Sequence, residues 1–339
     1  MKSRDALISF ARESLGISSS DRSELIALSG RGSDRSYYRF NWGIHSVIVV
    51  QYESNRVENS YFADIAEFLY VNGIPVPRMI RHDAANGRIL LEDLGGTDLW
   101  MLRDAPWEQR QMLYRKTLSA AHMLHSIPES QFPSDRIRLT EPFGPSLYRW
   151  ERNYFLENFV IALCNIQLDV DRSRALETEL SALADKLSSG KRCLVHRDLQ
   201  SQNVMICGDR PFLIDFQGMR FGTLYYDLGS LLCDPYVDFT GTERMELLSY
   251  YYNRSDQEVD WDGFAGAFWQ ASAQRLMQAL GAYGFLALKK GLQTYLAHVP
   301  NGLRNLRTAA ENAHTLPLLR SLCDACEMAL AAQSRAADP

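Results

Sequence analysis

The stretch that decides the fold is His196-Arg197-Asp198-Leu199-Gln200-Ser201-Gln202-Asn203. A strand-like run, Cys193-Leu194-Val195, precedes it, and Val204-Met205-Ile206 follows it. A turn is then predicted before a third run, which ends in Leu213-Ile214-Asp215-Phe216-Gln217. Residues 192–215 are therefore predicted to form a short β-rich insertion that carries one carboxylate on its first loop and another at its end.

The two carboxylates and the amide fit the requirements of phosphoryl transfer. A carboxylate must orient the attacking hydroxyl, which suits Asp198. Oxygen ligands must hold magnesium against the phosphates, which suits Asn203 and Asp215. Taken alone, either aspartate is as typical of a residue that caps a turn as of a catalytic residue. Their order, with a hairpin between them, favours a catalytic role for Asp198 and magnesium binding by Asn203 and Asp215.

Three further residues are predicted to support this loop. His196 and Arg197 directly precede Asp198 in the motif. Asp227 opens a helix in Tyr226-Asp227-Leu228-Gly229, and its carboxylate is expected to hydrogen-bond the loop backbone.

The N-terminal part of the chain alternates apolar runs with turns. A helix near residues 4–15, three antiparallel strands within 25–52, a helix over 57–70 and a hairpin over 79–92 are predicted. From Trp107 onward the pattern is mainly helical, with helices expected over 112–125, 147–164 and 174–187. Gly95-Gly96 is predicted to be a hinge between a lobe of residues 1–95 and a lobe of residues 96–339. The fold class is α+β, with a small antiparallel sheet and one helix in the first lobe and an α-rich second lobe.

These motifs resemble the aminoglycoside phosphotransferase and choline kinase superfamily, whose members share the protein-kinase fold. The resemblance implies ATP and Mg²⁺ as cofactors. It also implies a phosphate-covering loop at Gly30, Gly32 and Ser33, and a hinge strand where Glu92 and Leu94 pair with adenine through their backbone. Too few residues separate Asp215 from Asp227 for a protein kinase's activation segment, so a small-molecule acceptor is expected.

One departure from the superfamily concerns the third strand, His45-Ser46-Val47-Ile48-Val49-Val50-Gln51-Tyr52. The resemblance implies a lysine there for the α- and β-phosphates, and the strand has none. Arg35 or Arg39 is predicted to supply the charge instead, with a different geometry because arginine is a planar fork. The alternative is a nucleotide-binding pseudokinase, which the complete set of Asp198, Asn203 and Asp215 disfavours.

Within the superfamily the chain is most similar to bacterial anomeric kinases of N-acetylmuramate and N-acetylglucosamine. The matching stretches include Asp-Phe-Gln at 215–217, Leu231-Leu232-Cys233-Asp234-Pro235-Tyr236, and the run from Gln274 to Gly281. Asp234, Tyr236 and Arg275 are predicted to bind the acceptor, since aromatic rings stack on sugars and arginine pairs with carboxylates. A kinase of another alcohol, such as an aminoglycoside or choline, is the alternative.

Composition excludes other classes of function. With 36 Lys and Arg against 41 Asp and Glu, the net charge is -5 and no basic footprint for nucleic acid is present. No apolar run reaches the length of a membrane span and no signal peptide is evident, so a cytoplasmic location is expected. The six cysteines are predicted to be reduced thiols, including the Cys323 and Cys326 pair. His122 and His125 are predicted to pack rather than to bind metal.

Overall fold

The computed structural model describes residues 4–18, 20–28, 35–53, 57–255 and 258–337. The chain forms two compact units. The N-terminal unit contains Met1–Asp98, Pro133–Thr140 and Asn203–Gly218; the C-terminal unit contains Leu99–Phe132, Glu141–Gln202 and Met219–Pro339. The predicted glycines Gly30 and Gly32, and Ser33 beside them, lie outside the described residues.

The N-terminal unit is built on a five-stranded antiparallel sheet in the order β1-β2-β3-β5-β4. Its sheet strands are β1 (Ser23–Leu28), β2 (Ser36–Trp42), β3 (His45–Gln51), β4 (Met79–Asp83) and β5 (Arg88–Glu92). Helix α1 (Arg4–Leu15) buries Leu7, Phe10 and Ala11 against sheet residues that include Phe40 and Leu90. The strands and the first helix predicted from the sequence are confirmed.

Helix α2 (Glu58–Val71) has the apolar spacing that the sequence predicted, and it buries Phe62, Ile65 and Leu69. It packs against the short helical turn Phe216–Gly218, where Phe62 stacks on Phe216 with ring centroids 4.9 Å apart. This contact fixes the residue that directly follows Asp215.

The C-terminal unit is predominantly helical, as predicted. Its helices are α3 (Trp107–His125), α4 (Pro145–Phe155), α5 (Val170–Ser189), α6 (Leu224–Leu232), α7 (Gly241–Arg254), α8 (Trp261–Lys290), α9 (Val299–Asn312) and α10 (Pro317–Ala337). Helix α8 is the central element, and it packs against α4, α6 and α9. The Asp260 side chain caps its first turn, and Gly291 ends it in the left-handed conformation, with φ 71°.

One prediction about local structure is corrected. The helix expected over 147–164 leaves α geometry after Phe155 and continues as a π-helical turn, Leu156–Ile161. Helix α8 approaches this turn closely, since a Cβ added at Gly284 would lie 2.3 Å from the Asn158 carbonyl oxygen. Packing therefore replaces the regular helix there.

The β-rich insertion divides between the two units. In the N-terminal unit β7 (Val204–Cys207) pairs with β8 (Arg210–Leu213), which confirms the predicted hairpin. In the C-terminal unit β6 (Cys193–Val195) pairs with β9 (Arg220–Gly222), a strand that the sequence did not predict. Within the described residues, no helix is long and apolar enough to cross a membrane.

Candidate active site

The predicted magnesium residues both belong to the N-terminal unit, at the two ends of the β7–β8 hairpin. The carbonyl of Asn203 accepts a hydrogen bond of 3.0 Å from the Ile214 amide, so the residue before Asp215 lies against Asn203. Asp215 adopts a left-handed backbone with φ 65°, which is unusual for a residue with a side chain. Unfavourable backbone geometry of this kind concentrates at functional positions, and magnesium binding by Asn203 and Asp215 stays a prediction.

Asp215 is contacted by two side chains from its own unit. Arg35 forms an ion pair with Asp215 Oδ1, and Gln217 Nε2 donates to the same oxygen over 3.0 Å. Arg35 Nη1 also donates to Gln217 Oε1 over 2.8 Å. Tyr37 lies beside this cluster, and burial raises its pKa to about 12, with opposing contributions from Arg35 and Asp215.

Arg39 has a different set of partners. Its guanidinium binds Asp93 through two bonds of 2.6 and 3.0 Å and donates to the Gly95 carbonyl over 2.9 Å. Burial raises the pKa of Asp93, but hydrogen bonds from Arg39 and Ser46 outweigh it and leave that pKa below its usual range. Arg39 therefore ties β2 to the segment that follows β5.

The predicted adenine segment lies at the end of β5. Glu92 pairs in register with Val47, and its amide donates to the Arg78 carbonyl over 3.0 Å. Its side chain accepts from the Arg78 amide over 2.7 Å, so the chain on both sides is tied to β5. Leu94 is buried. The Glu92 amide is engaged within the unit, so the adenine contacts predicted for this segment fall to its carbonyl and to the backbone of Leu94.

Asp198 lies in the C-terminal unit between two arginines. Its Oδ2 is 2.7 Å from Arg197 Nη1, and its Oδ1 is 3.4 Å from Arg275 Nη2. Burial raises the pKa of Asp198, but the charges of Arg197 and Arg275 outweigh this and lower it overall. The carboxylate is therefore held ionised and oriented, which suits a group that accepts a hydrogen bond from a hydroxyl.

Asp227 fixes the backbone on which Asp198 stands. Its carboxylate is fully buried and accepts from the amides of His196 over 2.6 Å and Arg197 over 2.8 Å. The hydrogen bond predicted between Asp227 and the loop is thus present. Arg197 has a left-handed φ of 77°, and these bonds hold it there. His125 adds a contact of 3.1 Å to Asp227, so this histidine does more than pack.

Asp234 fixes the other end of the loop. Its carboxylate is fully buried and accepts from the Ser201 amide and hydroxyl, over 2.7 and 2.6 Å, and from the Tyr236 amide over 3.0 Å. Burial raises the pKa of Asp234, although these hydrogen bonds lower it in part. These bonds fix the backbone of Ser201 and Tyr236, and direct contact with an acceptor stays a prediction for Asp234, Tyr236 and Arg275.

Arg275 is buried on α8 and is oriented by its own unit. Besides Asp198, it reaches Ser230 Oγ at 3.2 Å and Gln278 Oε1 at 2.6 Å. The neighbouring Gln274 donates to Glu151 over 2.9 Å, which anchors this part of α8 to α4.

An aromatic cluster adjoins Asp234. The ring of Tyr236 lies edge-on to His298, with centroids 4.3 Å apart, and Tyr283 contacts both rings. Tyr295 stacks on Tyr283 at 5.8 Å. Sequence analysis named Tyr236 but not His298 or Tyr295, whose spacing carries no signal that separates them from ordinary surface residues.

The sequence profile described as "Phosphotransferase enzyme family" matches residues 24–267. The chain belongs to that family. It is a phosphotransferase, and the superfamily resemblance stated from the sequence is confirmed.

Two curated relatives are similar to this phosphotransferase over most of its length. An N-acetylmuramate/N-acetylglucosamine kinase from Pseudomonas aeruginosa is 25% identical over 305 residues, which cover 88% of this chain and 87% of that protein. One from Neisseria meningitidis is 26% identical over 254 residues, which cover 74% and 75%. Among solved structures, a choline/ethanolamine kinase family protein from Mesorhizobium loti covers 93% of this chain and 99% of its own, with a TM-score of 0.61 and 17% identity. This likeness confirms the kinase-like fold.

Proposed function

We propose that this phosphotransferase moves the γ-phosphoryl group of ATP to the anomeric hydroxyl of an N-acetylated amino sugar, N-acetylmuramate or N-acetylglucosamine. The observation that carries the proposal is the setting of Asp198. Its carboxylate is kept ionised by two arginines on a loop whose two ends are fixed by Asp227 and Asp234. The curated relatives, matched over most of the chain, support the choice of sugar.

In this proposal the N-terminal unit binds the donor. Asn203 and Asp215 supply the oxygen ligands that a hard cation such as Mg²⁺ prefers. Magnesium, when bound, neutralises charge on the phosphates of ATP. Arg35 is proposed to supply the phosphate-binding cation because it lies against Asp215, a proposed magnesium ligand, whereas Arg39 lies against Asp93 and Gly95. Gly30, Gly32 and Ser33 are proposed to cover the phosphates, and the backbone of Glu92 and Leu94 to bind adenine.

Asp198 accepts a hydrogen bond from the C1 hydroxyl and orients a lone pair of that oxygen toward the γ-phosphorus. The bond from the sugar oxygen to phosphorus forms as the bond from phosphorus to the leaving oxygen of ADP breaks, and the hydroxyl proton passes to Asp198. A carboxylate with a lowered pKa is a weak base, so its contribution is orientation before transfer and proton acceptance late in it. The product is a sugar 1-phosphate.

The charges around Asp198 favour this acceptor over a cationic one. Arg275 is positioned to meet a neutral or anionic group, and guanidinium pairs well with a lactyl carboxylate. The carboxylates of Asp227, Asp234 and Glu151 are occupied by hydrogen bonds within the C-terminal unit. An aminoglycoside or choline would instead bring positive charge toward Arg275. The rings of Tyr236 and Tyr283 offer apolar surface to a sugar face.

Phosphorus NMR tests the acceptor directly. Incubation with ATP, Mg²⁺ and N-acetylglucosamine or N-acetylmuramate is expected to give a phosphate signal coupled to H1 of the sugar. Glucosamine, kanamycin and choline serve as cationic comparison acceptors. Turnover of one of these, with no transfer to either N-acetyl sugar, would remove the sugar assignment and leave the family intact.

The roles of the two aspartates are tested separately. Asp198→Asn is expected to lower kcat by ~10²–10⁴-fold while ATP binding persists, because orientation and proton acceptance are lost. Asp215→Asn is expected to weaken binding of ATP in the presence of Mg²⁺ as well. Near-normal turnover in both variants would contradict the assignment, whereas wild-type protein that binds ATP but transfers phosphate to no acceptor would favour a pseudokinase.

A further inference from the structure

Gln217 joins the arginine and the carboxylate of the donor site. It accepts a hydrogen bond from Arg35 over 2.8 Å and donates one to Asp215 over 3.0 Å, while Arg35 and Asp215 form an ion pair. All three residues belong to the N-terminal unit, and the side chains of Arg35 and Gln217 are largely buried. Each of the three side chains therefore contacts the other two.

The cluster stands where the chain departs from its superfamily. Strand β3 carries no lysine, and Arg39 is bound to Asp93 and Gly95. Arg35 is the arginine that lies beside the predicted magnesium ligand. In the sequence it also lies within residues 29–36, the segment that resembles a phosphate-covering loop.

Gln217 is held in place by the residue before it. Phe216 is fully buried and stacks on Phe62 of α2, which fixes the start of the turn Phe216–Gly218. An amide side chain offers an acceptor and donors together, so it can bridge a guanidinium and a carboxylate. A glycine at this position would offer neither.

We infer that Gln217 is a positioning residue for nucleotide binding, which holds Arg35 beside Asp215 so that the guanidinium replaces the missing lysine. The inference rests on the ATP site of the proposed function. Because guanidinium is a planar fork, fixing one edge through Gln217 and Asp215 orients the whole group. Both donors act on the same oxygen of Asp215, so the carboxylate is oriented along with the arginine.

Isothermal calorimetry of ATP binding, with and without Mg²⁺, tests the inference without relying on turnover. Gln217→Met keeps the length of the side chain and removes both hydrogen bonds. It is expected to weaken ATP binding roughly tenfold, and Arg35→Met roughly a hundredfold, in line with the loss of charge-assisted hydrogen bonds. The double variant is expected to bind no worse than Arg35→Met alone, because Gln217 acts through Arg35.

Arg39→Met is the matched control, since it removes an arginine from β2 that does not contact Gln217 in the cluster described. Its effect on ATP affinity is expected to add to that of Gln217→Met. Full additivity of Gln217→Met with Arg35→Met, or an unchanged affinity in Gln217→Met, would overturn the inference. Circular dichroism checks that each variant folds.

Gln217→Glu provides a second test of the inference if Gln217→Met fails to fold. It retains an acceptor for Arg35 but places a negative charge against Asp215. ATP affinity without Mg²⁺ is expected to fall roughly tenfold, since the donor to Asp215 is lost and the added charge offsets that of Arg35. An affinity equal to that of the wild type would overturn the inference. Wild-type protein that binds no ATP would refute the proposed function itself, which is a separate result.

Discussion

Replacing Asp227 by asparagine removes the negative charge that holds the 196–203 loop and leaves the volume of the side chain almost unchanged. The Asp227 carboxylate is fully buried and accepts from the amides of His196 and Arg197 over 2.6 and 2.8 Å. Asparagine keeps one acceptor and turns an amide group toward the other donor. Loss of one charge-assisted bond and one unsatisfied buried amide together cost about 3–5 kcal/mol of the free energy of unfolding.

Urea unfolding followed by circular dichroism measures that cost. Total stabilities of about 5–15 kcal/mol leave the variant folded at 25 °C. Because Arg197 is held at φ 77° beside Asp198, kcat is expected to fall by ~10–100-fold. Asp185→Asn, an exposed change on α5, is the control and is expected to stay within about 0.5 kcal/mol of wild type. An Asp227→Asn protein as stable as this control would refute the reasoning.

Two further results are expected. Gly284→Ala brings a Cβ within 2.3 Å of the Asn158 carbonyl and is expected to destabilise the protein by about 1–3 kcal/mol. Gly266→Ala on the same helix meets no atom within 4 Å and is expected to stabilise the protein by up to ~1 kcal/mol. Equal shifts of the melting temperature in both variants would contradict this. Because the pKa of Asp198 is lowered in the folded protein, any stability that its ionised form adds is fully present above the unfolded pKa of about 3.9. That stability is lost only as the pH falls through the lower pKa of the folded state. Arg275→Gln is expected to move the acid limb of the kcat/KM profile upward, and an unchanged limb would show that Arg275 does not act on Asp198.

Local pattern in the sequence determined the secondary structure and the family. The helix over residues 4–15, the antiparallel strands of the sheet and the β7–β8 hairpin follow from periodicity and turn residues that lie close together in the chain. The order of Asp198, Asn203 and Asp215 predicted phosphoryl transfer for the same reason, because the motif is nearly continuous. No comparable local pattern named the acceptor.

Tertiary structure decided which distant residues meet. Arg35 and Gln217 are 182 residues apart in sequence, and Arg275 and Asp198 are 77 apart, so periodicity carries no record of either contact. The sequence left Arg35 and Arg39 as equal candidates for the missing lysine. Only the structure shows that Arg35 meets Asp215 whereas Arg39 meets Asp93, because the partners of a buried charge are set by the packing around it.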